Sequence, residues 1–130
     1  MDAERVAPLV GIAGCLGVLA GLAFPYLTVQ GPGVGAYYGT AAVNPLVAGL
    51  LALVSIIVLA AGRERRSDPG MAAGVGIVFG LAMVTILLFW GLTIRVDAIL
   101  VAPLHRWLVA AVALLVPASS LWYARSLDVL

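Results

Sequence analysis

Few side chains in this chain could carry chemistry, and the first of them is its single cysteine, Cys15. Cys15 follows Ile12, Ala13 and Gly14, and this four-residue pattern also precedes the modified cysteine of bacterial-type lipoproteins. The apolar run continues well beyond the cysteine, whereas a cleaved signal gives way to polar sequence. We therefore expect Cys15 to be a small buried packing residue and not a lipid anchor or a nucleophile.

The single histidine is the second candidate, and it lies close to three charged residues. His105 is next to Arg106, and Arg95 and Asp97 precede them. Metal sites need three or four ligands, so one histidine does not make one. The three charged residues could form an ion-pair cluster or bind an anionic headgroup; solvated or lipid-facing charges are the alternative. We predict no catalytic, cofactor-binding or metal site.

The distribution of charge indicates where the chain lies. There is no charged residue and no histidine between Val6 and Gly62, and 64 % of all residues are hydrophobic. Lipid offers no water to backbone N–H and C=O groups, so continuous apolar segments in a bilayer must be helical. The sequence therefore predicts an integral membrane protein. A net charge of +1 argues against a nucleic-acid partner.

About 20 apolar residues are needed to cross the hydrocarbon core. Four segments satisfy this length and predict an all-α, up-down four-helix bundle in a single domain, residues 1–130: they are 7–24, 45–61, 69–94 and 104–123. Asn44-Pro45 and Asp68-Pro69 each combine a good N-cap with a proline suited to the first helical position. These two pairs should begin the second and third helices.

Arginines near the helix ends predict the orientation. Five lie on one side of the predicted bundle and two on the other; the five are Arg5, Arg63, Arg65, Arg66 and Arg125. The group Arg63, Arg65 and Arg66 should determine topology. This bias places both termini in the cytoplasm and makes the chain a multi-pass protein of the cell membrane.

Aromatic residues and loops complete the predicted layout. Trp90 and Trp107 should mark the outer interface, and Trp122 and Tyr123 the inner one. Residues 25–43 contain two β-prone runs around Gly31-Pro32-Gly33, which predicts a small outer hairpin; an irregular glycine-rich loop is the alternative.

Glycines are the candidate helix-packing residues. Gly11, Gly14, Gly17 and Gly21 fall within roughly a 120° arc of the first helix. The third helix carries two further pairs on separate faces, Gly70 with Gly74 and Gly76 with Gly80. We expect the tightest packing in the inner half and a shallow apolar pocket in the outer half, where residues 87–90 are bulky. A homodimer seam along one glycine face is the alternative.

The spans hold little polar chemistry, since no Asp, Glu, Lys, Arg or His lies within them apart from His105 and Arg106 at the outer start of the fourth. Their polar residues are Cys15, Ser55, Thr85, Ser119 and Ser120. Pro117 removes one backbone bond to Ala113 and predicts a kink. Intramembrane charges mark ion paths, so their absence argues against a proton-coupled or cation-coupled transporter.

Three classes of function remain after these exclusions. The first is a structural or interaction protein, acting as a small subunit of a larger membrane complex or as a self-associating bundle with no catalytic activity. The second is a channel or carrier for a neutral or lipidic solute. The third, favoured least, is a membrane enzyme or cofactor carrier. The expected partners are the lipid bilayer and either a second copy or a larger complex.

Three short segments, residues 25–29, 44–49 and 116–119, stand in a chain that has arginine but no lysine. With that composition, they resemble small uncharacterised four-helix membrane proteins of halophilic archaea, and the similarity covers nearly the whole chain. The resemblance implies a four-helix membrane fold and no known activity.

The arginine bias generates a test of topology. A reporter fused to the C-terminus should report the cytoplasm, and one inserted in residues 31–35 should report the exterior. The reverse pattern would reject the orientation, and an odd number of spans would reject the four-helix architecture.

Overall fold

The computed structural model describes residues 3–28, 44–93 and 103–128, which form five helices. They are α1 (Ala3–Thr28), α2 (Leu46–Arg63), α3 (Pro69–Thr93), α4 (Pro103–Ala113) and α5 (Leu115–Ser126). α4 and α5 follow each other through Leu114 and together make the fourth span. Four segments are long and apolar enough to cross a membrane: Ala3–Phe24, Leu46–Arg63, Pro69–Trp90 and Trp107–Ser126.

The predicted boundaries differ most at the first helix. α1 begins at Ala3 and continues to Thr28, beyond residue 24, where its apolar span of membrane length ends. A proline inside a helix removes its own N–H from the hydrogen-bond ladder but leaves the donors that follow it. The remainder of the predicted hairpin, residues 29–43, lies outside the described residues, and the described ranges contain no β-strand.

The four spans form an up-down bundle in which α1 and α3 are diagonal to each other. Each of these two helices packs against both α2 and the fourth span. The start of α1, the α2–α3 turn and the end of α5 meet at one end of the bundle. We call it the arginine-rich end, because five of the seven arginines lie there: Arg5, Arg63, Arg65, Arg66 and Arg125.

α2 and α3 begin with the same local structure, as the sequence predicts. The side chain of Asn44 accepts a hydrogen bond from the N–H of Leu46 (2.9 Å). The side chain of Asp68 accepts one from the N–H of Gly70 (3.1 Å). Each bond satisfies a backbone donor that has no partner within the helix. The polar residue before each proline therefore fixes where the helix starts.

The fourth span is interrupted at Leu114, one turn before Pro117. Proline has no N–H to donate to the carbonyl of Ala113. The N–H of Leu114 is shared between the carbonyls of Ala110 and Ala111, at 3.2 Å each. The hydrogen-bond pattern is therefore interrupted where the sequence predicts a kink, while the backbone of Leu114 keeps helical angles. A Cβ on Gly80 would lie 2.6 Å from the ring nitrogen and Cδ of Pro117, so the missing side chain lets α3 pass against this ring.

The four glycines of α1 face the fourth span along its whole length. A Cβ would lie 2.9 Å from Ser119 Oγ at Gly11, and 3.0 Å from Leu115 Cβ at Gly14. It would lie 2.6 Å from Val112 Cγ1 at Gly17, and 2.7 Å from Val109 Cγ2 at Gly21. Real Cβ atoms do not approach so closely. The stripe is therefore occupied within the chain, and close packing is not confined to one half of the bundle.

The glycines of α3 divide into two groups. A Cβ on Gly76 would overlap Ser120 of α5, and Gly80 contacts Pro117, so this face is also occupied inside the bundle. A Cβ on Gly74 would meet no atom within 4 Å. Gly70 is half-buried in the first turn of α3. The face that carries Gly74 is therefore open, and the face that carries Gly76 is closed.

Small residues fill the interior and large apolar residues face outwards. The buried positions include Ala7, Ala48, Ala52, Ala72, Ala73, Ala110, Ala113 and Ala124. Ile57, Met71 and Leu92 are each more than 65 % exposed. Lipid tails are as apolar as leucine, so exposing such side chains costs nothing there, and small residues allow helices to approach.

Trp90 and Tyr123 are the two largest fully buried side chains among the described residues, and both were predicted to mark an interface. Both side chains point into the bundle and not outwards, whereas Trp122, beside Tyr123, and Trp107 are exposed. The membrane depth of all four aromatic residues stays a prediction.

The two faces of α3 allow a matched test of packing. Gly80→Ala should destabilise the bundle by about 1–3 kcal/mol, because the new methyl group overlaps the rigid ring of Pro117. Gly74→Ala makes the same change on the same helix in open space, and should be neutral or stabilising by up to about 1 kcal/mol. Thermal unfolding in detergent measures both. Equal effects would contradict this packing.

Candidate functional site

The C-terminus of α2 is closed by a turn that places an arginine in an unusual conformation. The N–H of Arg66 donates to the carbonyl of Ala61 (2.9 Å), and that of Arg65 donates to Gly62 (3.1 Å). This is the Schellman pattern, in which the residue at the Arg65 position adopts left-handed backbone angles and is usually glycine. Arg65 has φ 56°. The chain therefore keeps an arginine side chain where glycine would be less strained.

Side chains of this turn join α2 to the start of α1. Arg65 forms an ion pair with Glu4 at 2.9 Å. Arg63 donates from Nε to the carbonyl oxygen of Arg5 (2.9 Å) and from a terminal nitrogen to Glu64 (3.0 Å). The residues joined between α1 and α2 are about 60 positions apart. The bonds to Glu4 and Arg5 therefore hold Arg65 and Arg63 in place relative to α1.

A cavity of about 110 Å³ lies among these groups, and we call it the arginine pocket. It is lined by Glu4, Arg5, Gly62, Arg63, Arg65, Tyr123 and Leu127. Its ionisable lining comprises three arginines and one glutamate, apart from the tyrosine hydroxyl. The net charge of the pocket is therefore positive.

Tyr123 brings a polar group into this pocket from a buried position. The residue is 1 % exposed. Its hydroxyl lies 3.4 Å from where a Cβ on Gly62 would be, so the glycine leaves room for it. The guanidinium of Arg65 and the carboxylate of Glu4 both lie within electrostatic range of the hydroxyl. α1, α2, the α2–α3 turn and α5 thus contribute to one site.

A second concave surface lies towards the other end, between α1 and α2. This apolar groove has a volume of about 360 Å³ and is lined by Leu19, Leu22, Ala23, Leu46, Gly49, Leu50 and Leu53. It shares only its half of the bundle with the predicted apolar pocket, since no residue of 87–90 lines it. The cause differs from the predicted one, because Leu87 and Trp90 are fully buried and fill the bundle.

The interior holds a few polar groups but no cluster of them. Cys15 is a free, fully buried thiol. The hydroxyls of Ser55 and Ser120 are buried, and neither has a hydrogen-bond partner among the described residues. Ser119 donates to the carbonyl of Val116 (3.1 Å). No group of three potential metal ligands occurs within residues 3–28, 44–93 and 103–128.

The remaining candidates from the sequence are predicted to lie at the opposite end from the arginine pocket. Arg95 and Asp97 are outside the described residues. The backbone of His105 and Arg106 belongs to α4, but their side chains are not described. The predicted cluster of Arg95, Asp97 and Arg106 stays a prediction.

The sequence predicted no role for Glu4, and it predicted Tyr123 only as an aromatic residue of the inner interface. Tyr123 had a usable signal, since it shares a helical face with Val116, Ser119 and Ser120, which are also buried. The pairing of Glu4 with Arg65 had none, because it depends on how α1 packs against α2.

The four apolar spans pack against one another through glycine and alanine. Their length and composition define the class of this chain as a small four-span helical bundle with the dimensions of a membrane protein. The chain belongs to a family of unknown function, DUF7548, whose model matches residues 1–128. No curated protein and no solved structure matches it significantly.

Burial of Cys15 generates a test of its chemical state. Its thiol should resist water-soluble maleimide in detergent micelles and react after unfolding, because α1 and its neighbours enclose it. Intact mass should correspond to an N-terminus at Met1 or Asp2. A species that begins at a lipidated Cys15 would contradict the buried position.

Proposed function

We propose that this protein is a structural or interaction protein of a membrane, a closed bundle that associates with a second copy or with a larger membrane complex and catalyses no reaction. The observation that carries the proposal is the difference between two groups of glycines. The glycines that face the interior pack against other helices of the same chain, whereas the face of α3 that carries Gly74 packs against no other helix of the chain.

The closed interior supports an architectural role. The glycines of α1 pack on the fourth span, and Gly76 and Gly80 pack on α5. The polar groups on buried residues of the described interior are serine hydroxyls, one thiol and the hydroxyl of Tyr123, with no charged side chain among them. These observations disfavour the alternative that the α1 stripe is a homodimer seam.

The outer face of α3 has the composition of a helix–helix contact in lipid. Gly74 lies between Met71 and Val78, which are 66 % and 63 % exposed. A glycine between two larger side chains leaves a notch into which another helix can bring its backbone. We propose this face, Met71, Gly74, Val78 and Leu81, as the association surface.

The orientation and source belong to the same proposal. The concentration of arginines at one end supports a cell-membrane protein with both termini in the cytoplasm. The resemblance to proteins of halophilic archaea remains a prediction, and the family match neither names a source nor describes a function.

A carrier or channel for a neutral or lipidic solute is the second candidate, and the apolar groove supports it. Its lining carries no charged side chain, and its volume of about 360 Å³ accommodates part of an acyl chain. Flux of a fluorescent lipid analogue or a neutral solute in liposomes would favour this candidate.

Replacement of Gly74 tests the association surface. Gly74→Ile should abolish a crosslinked dimer, or the co-purification of a stoichiometric partner, without lowering the melting temperature, since the position is open in the single chain. The measurements are crosslinking in native membranes, light scattering in mild detergent and thermal unfolding.

Ala13→Ile provides the control, because Ala13 is an exposed small residue on α1, away from this surface. It should leave association unchanged. A wild-type protein that is monomeric and purifies without a partner would reject the proposed function. Association that survives Gly74→Ile would place the contact on another face.

A further inference from the structure

The hydroxyl of Tyr123 is a buried polar group that faces an open space. Tyr123 is 1 % exposed and lines the arginine pocket. The hydrogen bonds shown for Tyr123 among the described residues involve its backbone carbonyl. Its hydroxyl is not among the fully enclosed groups without a partner, which are those of Ser55 and Ser120, so it keeps access to the pocket. The hydroxyl is therefore available to a ligand in the pocket.

The arginines keep donors for the same space. A guanidinium has five N–H groups in a planar fork. Arg65 uses one terminal nitrogen for Glu4, and Arg63 uses Nε and one terminal nitrogen for Arg5 and Glu64. Each retains further N–H donors. The bonds to α1 hold both guanidinium groups at the pocket and so reduce the entropy lost when a ligand binds.

The position of Arg65 strengthens this argument. A non-glycine residue at φ 56° has a conformational cost that glycine would avoid. Strained residues persist where the surrounding structure holds them, and they cluster at binding sites. Here the strain places a guanidinium over the pocket, where it can act with Arg63 and Tyr123.

Size, charge and depth select the ligand chemistry. The pocket is positive, its volume is about 110 Å³, and Leu127 supplies an apolar wall. A phosphate group presents several oxygens in a tetrahedron, so it can accept from two guanidinium groups and a hydroxyl together. The pocket also lies where the apolar spans end, which is the depth of lipid headgroups.

We propose that the arginine pocket binds a phosphate group, presented either by the headgroup of an anionic lipid or by a free phosphate ion. Arg63 and Arg65 hold its oxygens, the hydroxyl of Tyr123 donates a further bond, and Glu4 keeps Arg65 in place. The proposal is independent of the association surface on α3.

The test uses the full chain in neutral maltoside micelles, which contain no phosphate. Phosphatidic acid in the micelles, inorganic phosphate and oleate are titrated separately at constant ionic strength. Binding is followed by thermal shift and by native mass spectrometry. Phosphatidic acid or phosphate should bind, and oleate should not, because it carries charge without a phosphate. Binding of phosphatidic acid alone identifies a lipid headgroup, and binding of inorganic phosphate identifies the free ion.

Variants separate the pocket from general positive charge. Arg65→Gln should weaken binding roughly tenfold, as expected for one lost charge-assisted contact. Arg125→Gln removes the same charge from the same end but does not line the pocket, and should stay within about twofold of wild type. Tyr123→Phe keeps every charge and the ring, and should weaken binding several-fold even if Arg65→Gln is unstable.

The proposal is overturned if neither phosphatidic acid nor inorganic phosphate binds. It is also overturned if oleate binds as well as phosphatidic acid, because charge alone then suffices. The proposal is overturned as well if Arg65→Gln and Arg125→Gln weaken binding equally, or if Tyr123→Phe binds with wild-type affinity.

Discussion

The structure depends on the close approach of helix backbones where no hydrophobic effect draws helices together. In lipid, an outward leucine is as well solvated as a buried one, so dispersion contacts must hold the bundle. This accounts for the inverted distribution of size, with alanine and glycine inside and Ile57, Met71 and Leu92 outside. Gly17 against Val112 and Gly80 against Pro117 are the clearest cases. The positions of the other groups follow from these contacts.

The spans and their starts were predictable because they depend on local chemistry. Continuous apolar segments predict helices in lipid, and Asn44 and Asp68 before proline cap α2 and α3 as expected. The break near Pro117 also follows from one missing N–H. The apolar span of α1 ends at Phe24, and the helix itself continues to Thr28, because Pro25 interrupts only one donor.

Contacts between spans were less predictable, since they depend on which faces meet. The glycines were recognised as packing residues, but the sequence does not show that Gly76 meets Ser120 while Gly74 faces outwards. Aromatic residues predict membrane depth, but the sequence does not show that Trp90 and Tyr123 point into the bundle while Trp107 and Trp122 face outwards. The arginine pocket joins Glu4 to Arg65 across two spans, and neither residue carries a local signal of that pairing.

The order of the spans has a consequence for how the bundle is made. α1 and α3 are diagonal, and the fourth span, built after the other three, covers the glycines of both. A nascent chain with only three spans inserted therefore holds an open slot between its first and third helices, faced by Gly17 and Gly80. Lipid tails occupy that slot until the fourth span is inserted and must leave as α4 and α5 enter. Assembly is thus completed by exchange of lipid for protein.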